Sequence, residues 1–337
     1  MIRFLFKGIL RDSQRSRLPI LIISIGVFLT VVLSSWISGV LGDMVDLSAK
    51  FTTGHVKIMT QAYAENEAQI PNDLALLDVA DLTNELEQAY PDMQWVERIR
   101  FGGLMDLPDS EGETQAQGPV SAQGIALLDR SKGEIERLSI EKSMVRGRLP
   151  EQPGEILISD DFAQKINLQL EDTLTFFGST MHGSMTFQNF KAVGTVRFGS
   201  VALDRGSILV DLSDARQVLD MNDAAGEILG YFASNKYEAE TATEVKESFN
   251  STYQDAEDEF SPTMLRLQDQ NGLDQMLAYM DVISGVFVFL FVFAMSIVLW
   301  NTGLLGGLRR YKEFGIRLAM GEEKSHIYRT LLYEAVL

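Results

Sequence analysis

Two long stretches of the chain contain no charged residue, 18–42 and 282–308. Each exceeds the ~20 apolar residues with which a helix covers the hydrocarbon core of a bilayer. Pro19 suits the first turn of such a helix, where its missing N–H is not needed. The pattern therefore predicts transmembrane helices over 18–42 and 281–308. Arg3, Lys7, Arg11, Arg15 and Arg17 precede the first, and Arg309-Arg310-Tyr311-Lys312 follows the second. By the positive-inside rule both flanks are cytoplasmic, including an amphipathic segment over 1–17, and everything over 43–280 is outside. A cleaved signal peptide is the competing reading of the first stretch. Its apolar run is longer than the ~7–15 residues of a signal core and lacks a clear small-x-small cleavage site, which favours an uncleaved anchor.

Between the spans the periodicity is mixed. Residues 43–50 are expected to prolong the first helix, and 54–59 alternate as a strand does. Val79, Leu82, Leu86 and Ala89 recur at helical spacing and predict an amphipathic helix over 77–90, ended by Pro91. Strands are expected over 95–107 and 120–128, separated by a polar loop at 108–119; this order matches half of a ferredoxin-like unit. From Gly147 the elements shorten. Strands at 155–158, 168–177, 193–196 and 207–210, a helix at 160–166 and a helix at 212–221 with Ser213 as its N-cap describe a β-rich lobe over about 147–225. A helix over 241–253 returns to the first unit. Met264, Leu267, Leu273, Met276, Leu277 and Met280 again recur at helical spacing, with no proline before the second span. A continuous helix over about 271–308 would be roughly 55 Å long at ~1.5 Å per residue. The fold class expected is a membrane protein of α-helical spans with a large α+β extracytoplasmic domain, a ferredoxin-like part plus an inserted β-rich lobe.

Behind the second span, Phe314, Ile316, Leu318, Ala319 and Met320 are interleaved with charge and closed by Gly321, which fits the left-handed position after a helix end. A short amphipathic helix over 309–322 follows from this. Ser325, Ile327, Leu331, Leu332, Ala335 and Val336 then begin another hydrophobic helix over 323–337. The run Glu313-Phe314-Gly315-Ile316-Arg317-Leu318-Ala319-Met320-Gly321, with Asn301 upstream and Tyr333-Glu334-Ala335-Val336-Leu337 downstream, closely resembles the signature of the FtsX-like permease family. That family comprises membrane subunits of ABC transporters of the macrolide-exporter (MacB), lipoprotein-releasing (LolC/LolE) and cell-division (FtsX) types.

The resemblance implies a coupling helix gripped by a separate cytoplasmic ATPase. Glu313 and Arg317 would make polar contacts to it, Phe314, Ile316 and Met320 would pack into its groove, and Gly315 and Gly321 would serve close approach and helix termination. A juxtamembrane helix resting on lipid headgroups is the plainer reading of the same residues. The resemblance further implies ATP and magnesium in the partner rather than in this chain, a second permease subunit, and a bacterial inner-membrane location with the central domain in the periplasm. The work implied is extrusion of lipoproteins or other amphipathic molecules on the outer side. Relatives normally have four spans, so the chain to Leu337 is expected to contain two and the start of a third. Two departures stand out. The turn 178–184 is short and proline-free, where lipoprotein-release permeases present a protruding hairpin, which argues against a periplasmic or lipoprotein carrier docking there. Arg309 stands where relatives often have an acidic residue.

Charge changes the picture once it is divided by topology. The net charge is −18, yet 1–17 and 309–337 hold eleven Lys/Arg against five Asp/Glu, so the middle carries −24. An acidic outer domain is disfavoured from binding nucleic acid and is soluble. With 46% hydrophobic residues and a mean hydropathy of +0.02, two spans around a folded domain fit better than many spans or none. No cysteine is present, so disulfides and thiolate metal sites are excluded. No phosphate-loop, zinc-protease or serine-elbow motif occurs, and the three histidines are scattered. An enzyme reading has no residue constellation behind it. Within the spans, Ser35 with Gly39 and Gly303 with Gly307 are small-xxx-small pairs that permit close helix packing. Phe287 and Phe291 are candidates for lipid contact or for a hydrophobic substrate groove. A two-span sensor or scaffold with a ligand-binding outer domain is the alternative to a transporter subunit.

Overall fold

The computed structural model describes residues 13–109, 111–270 and 272–336. The first twelve residues of the expected amphipathic segment lie outside the described residues, as does Leu337. Two units are distinguished, 1–43 with 275–337, and 44–274.

The long helix α1 (Ser13–Ser48) ends in one π-helical turn, Ala49–Thr53, and is followed by β1 (Val56–Thr60). The short α2 (Gln61–Glu65) and β2 (Leu76–Leu77) lead to α3 (Val79–Ala89), which buries Val79, Thr83 and Leu86. β3 (Met93–Pro108) and β4 (Thr114–Ile125) form a hairpin. Then come α4 (Glu134–Arg137), α5 (Ile140–Ser143), β5 (Met144–Gly147), β6 (Glu155–Ser159) and α6 (Asp160–Lys165). β7 (Thr173–Ser179), β8 (Met185–Val196), α7 (Val201–Asp204), β9 (Ser207–Asp211) and α8 (Leu212–Leu219) follow. The domain closes with β10 (Ala224–Ala225), β11 (Glu227–Phe232), α9 (Ala239–Tyr253) and β12 (Pro262–Arg266).

Four antiparallel strands in the order β12-β1-β11-β3 form one sheet. With α3 and α9 as the connections, this is a complete ferredoxin-like unit whose second and third strands are separated by the inserted lobe. The lobe is a closed ring. β3 pairs β4, β4 pairs β9, β9 pairs β6, β6 pairs β8, β8 pairs β7, and β7 returns to β3. Closure leaves these strands no open edge and lets Met105, Leu174, Phe176, Phe190, Ile156, Ile158 and Ile208 share one interior. The sixteen residues of β3 serve both sheets, so the two parts of the domain are built on one strand.

Several expectations are corrected by pairing that no local pattern encodes. The strand expected over 120–128 does not complete the ferredoxin-like unit; it is barrel strand β4, parallel to β9. The strand that does complete it, β11, was not anticipated. Gly230 interrupts its apolar run, yet a Cβ there would overlap the Trp95 ring opposite, so the glycine is what admits that indole. The polar stretch 108–119 is largely strand, because Thr114–Gly118 extends the hairpin and only a tight turn held by Asp109 remains. Met264 and Leu267 belong not to a helix but to β12 and the turn after it. The Asn250 side chain satisfies that edge strand by donating to Met264 O (3.1 Å) and accepting from Met264 N (2.7 Å). Asp211, not Ser213, caps α8, its carboxylate accepting from Ser213 N at 3.0 Å and also from Leu127 and Leu128 N–H.

The core of the domain contains charge. Lys57 and Glu227 are fully buried and 3.0 Å apart, and Glu67 accepts from both Lys57 (2.8 Å) and Arg100 (2.8 Å). Burial pushes the Glu67 carboxyl up, but Lys57 and Arg100 together outweigh it and hold the group below its ordinary range.

In the other unit, α10 (Leu273–Arg309) is followed by α11 (Tyr311–Ala319) and α12 (Lys324–Val336). The helices over 20–53 and 273–301 are long and apolar enough to cross a bilayer.

Candidate functional site

The helix α11 is shaped by its two ends. The chain leaves helical geometry at Arg310, which stands as N-cap without a side-chain cap bond. At the other end Gly321 takes φ 91°, Gly321 N donates to Leu318 O (3.0 Å) and Glu322 N to Arg317 O (3.1 Å). That pair of bonds is a Schellman closure, which satisfies carbonyls the helix would otherwise leave bare.

Glu313 on α11 is answered by its own helix and by the N-cap residue. Glu313 accepts from Arg310 Nε at 3.1 Å and from Arg317 Nη2 at 2.8 Å. Hydrogen bonding from Arg310, reinforced by the charge of Arg317, holds the Glu313 carboxyl below its ordinary range. The Arg310 guanidinium also lies 5.5 Å from the Phe314 ring centre. Ile316 (62% exposed) and Met320 (75%) stand clear, as do Tyr311 and Leu318, and nothing crowds Gly315. The residues expected to pack into a partner thus divide. Ile316 and Met320 are presented on a free apolar face, Phe314 is half-covered by Arg310, and Glu313 and Arg317 hold each other.

In the same unit the two long helices meet through Thr30, Leu33, Ser34 and Ile37 on one and Ser284, Phe287, Val288 and Phe291 on the other. The gap left between these residues is about 10 Å³. The close approach is made at Gly26, where a Cβ would run into Met295. Sequence reasoning missed Gly26, although Gly26 with Thr30 is itself a small-xxx-small pair. Ser35 and Gly39 face outward on α1. Gly303 and Gly307 lie on an open apolar shelf with Trp300, Leu304 and Leu308. None of these four small residues meets a neighbouring helix here.

In the domain, His55 accepts from Phe232 N through Nδ1 (3.0 Å) and burial pushes it down to about 4, so it is a neutral core histidine. No group of three or more His, Cys, Asp or Glu side chains is placed to hold a metal ion among the described residues. The turn at 178–184 is a tight reversal closed by Thr180 N to Ser184 O (2.8 Å), with Phe187 and Met185 exposed beside it.

Comparison with known proteins agrees with this arrangement in two places. Residues 17–248 match the family model for the MacB-like periplasmic core domain, and residues 285–337 match that for the FtsX-like permease C-terminal domain. No curated protein matches the sequence. Among solved structures, the chain is similar to the periplasmic region of MacB from Actinobacillus actinomycetemcomitans, at 11% identity and a TM-score of 0.44 over 67% of this chain and 94% of that one. It is also similar to a domain assigned to a permease of Porphyromonas gingivalis, at 12% identity and a TM-score of 0.33 over 62% of this chain and 86% of that one. The two family models cover the acidic α+β domain and the helices after it, so this chain belongs to the MacB and FtsX-like permease family, the membrane subunits of ABC transporters that carry a periplasmic core domain and work with a cytoplasmic ATPase.

Proposed function

We propose that the chain is the permease subunit of a type VII, mechanotransmission ABC transporter. It couples ATP hydrolysis by a separate ATPase to the extracytoplasmic extrusion of lipoproteins or other amphipathic molecules. The topology proposed is that of the charge pattern: α1 and α10 cross the inner membrane, the domain over 43–280 stands in the periplasm, and α11 lies in the cytoplasm as the coupling helix. ATP and magnesium bind in the partner, and a second permease copy or homologue completes the dimer. The outward small residues Ser35, Gly39, Gly303 and Gly307 are the surfaces against which further helices pack.

The observation that carries this reading is the free face of α11. Ile316 and Met320 are presented to solvent on a helix closed at its C-terminal end by the Gly321 turn, directly after an apolar helix of 37 residues. Burying two such side chains in a partner groove contributes about 1.5–3 kcal/mol each. Glu313 and Arg317 act by setting the shape of that face, since their charges already answer one another.

The test is co-purification of tagged full-length protein with its ATPase. The ATPase is expected to come down with the wild-type chain, and Ile316→Asp with Met320→Asp to weaken the association at least tenfold. Single cysteines at Gln117 and Lys312, in a chain that has none of its own, should be labelled from opposite sides of the membrane. Labelling from the same side, or failure of the wild-type chain to bring down an ATPase, rejects the proposal and leaves a two-span sensor or scaffold; retention of the ATPase by the double variant rejects this face of α11 as the contact.

A further inference from the structure

The first long helix does not stop before the domain; its last turn is part of it. Ala49 and Thr53 are buried, and Ala49–Thr53 winds as a π turn, a rare form that recurs at functional positions. The end of a helix leaves carbonyl oxygens without partners. Here they are taken up by side chains from across the domain. Tyr231 on β11 donates to Ala49 O (3.0 Å), with Lys50 O also within 3.3 Å. Phe51 O accepts from Arg98 Nη1 on β3 (3.2 Å) and from Gln123 Nε2 on β4 (3.3 Å). Thr53 O accepts from Gln270 Nε2 (3.3 Å), three residues before α10 begins.

Arg98 is the centre of this joint. Its side chain is fully buried, and so is that of Glu134, which it meets through two bonds, Nε to Oε2 (2.8 Å) and Nη2 to Oε1 (3.2 Å). Its Nη2 also reaches the Tyr231 hydroxyl (3.2 Å). A positive group at a helix C-terminus is favoured by the helix dipole. A buried ion pair is nonetheless a poor way to gain stability compared with apolar packing of the same volume. What it supplies is direction. The planar guanidinium fixes the helix end to β3, β11 and α4 at one geometry, which greasy contacts would leave free to slide.

We propose that Arg98, with Glu134 and Tyr231, is a positioning group of the transport cycle: it holds the π turn at the end of α1 to β3, the strand shared by the ferredoxin-like sheet and the barrel, so that this turn and the domain move as one body. Gln270, three residues before α10, is hydrogen-bonded to the same turn. This inference rests on the transporter reading.

The absence of native cysteine allows spin labels at Met44→Cys on α1 and Gln117→Cys on β4, both exposed, in the full-length protein in lipid nanodiscs with its co-purified ATPase. Distance distributions are recorded without nucleotide and with ATP held unhydrolysed. Two backgrounds are compared with wild type: Tyr231→Phe, which removes one hydroxyl and keeps the ring, and Arg98→Met with Glu134→Gln, which removes both charges and keeps an acceptor for Arg137, the other partner of Glu134. The expected result is a narrow distribution in wild type that broadens about twofold in either background. In the permease dimer the distance between Gln117→Cys labels on the two copies should change with ATP in wild type, and that change should fall at least fivefold in either background, while the midpoint of thermal unfolding moves by only a few degrees. An unchanged width in both backgrounds overturns the proposal, and so does an ATP-dependent change that survives in full. If wild type itself shows no ATP-dependent change while the joint still loosens in the variants, the transporter reading fails first and takes this role with it.

Discussion

Replacing Glu227 by glutamine tests whether the buried charges of the ferredoxin-like sheet act as one balanced set. Lys57 and Glu227 have no exposed side-chain surface, and Glu67 and Arg100 complete two positive and two negative groups within 3.3 Å of a partner. Glu227→Gln leaves one uncompensated positive charge where water cannot reach it. Removing one member of a buried pair costs about 3–5 kcal/mol. Glu67 still engages both Lys57 and Arg100, which puts the expectation near ~3 kcal/mol. For a unit of this size each kcal/mol moves the midpoint by ~2–4 °C, so a loss of ~6–12 °C is expected. Trp95 is buried on β3 opposite Gly230, in the strand beside Glu227, and reports this melting by fluorescence once the exposed Trp36 and Trp300 are changed to phenylalanine. Lys57→Met with Glu227→Met removes a neutral pair and leaves Arg100 with Glu67, so it should lie within ~1 kcal/mol of wild type. A single substitution that shifts the midpoint by less than about 2 °C, or a double worse than the single, would refute the balance argument.

Two further outcomes can be measured on the same protein. Burial lowers His55 from its ordinary 6.5 to about 4, so the unfolded chain binds the extra proton between those values and stability falls as pH drops through that window. The loss should reach at most about 3 kcal/mol by urea titration, and His55→Gln should flatten the slope; an identical slope in the variant would show that another group titrates there. Asn250→Ala removes both side-chain bonds to Met264 and should cost about 1–2 kcal/mol while speeding hydrogen exchange along β12 first; unchanged exchange at Met264 would show that water replaces the asparagine without loss.

The local order of the chain was legible wherever one short stretch contained its own cause. Charge-free runs of helix-spanning length, Pro91 after α3, and Gly321 at a position that becomes left-handed are all settled within a few residues. The motif around Glu313 likewise pointed to the family before any geometry was known. Its chemistry did not follow so directly. The sequence shows that Glu313 and Arg317 are four apart on a helix, but not that Arg310 on the other side completes the set, leaving Ile316 and Met320 as the presented face.

What only the tertiary structure decided is pairing between distant segments. β11 joins β3 across some 130 residues of chain, and nothing in Glu227–Phe232 names Trp95 or Arg98 as its neighbours. Barrel closure, the strand character of Pro262–Arg266 and the joint at Ala49–Thr53 depend on the same long-range contacts. Alternation and helical spacing report which face of an element is apolar, and hydrogen-bond partners are chosen by whatever the fold brings alongside. The sequence by itself therefore determined the two helices long and apolar enough to cross a bilayer, the acidic α+β middle and the family signature. The tertiary structure decided how one strand holds two sheets together and how a buried arginine binds a helix end to both.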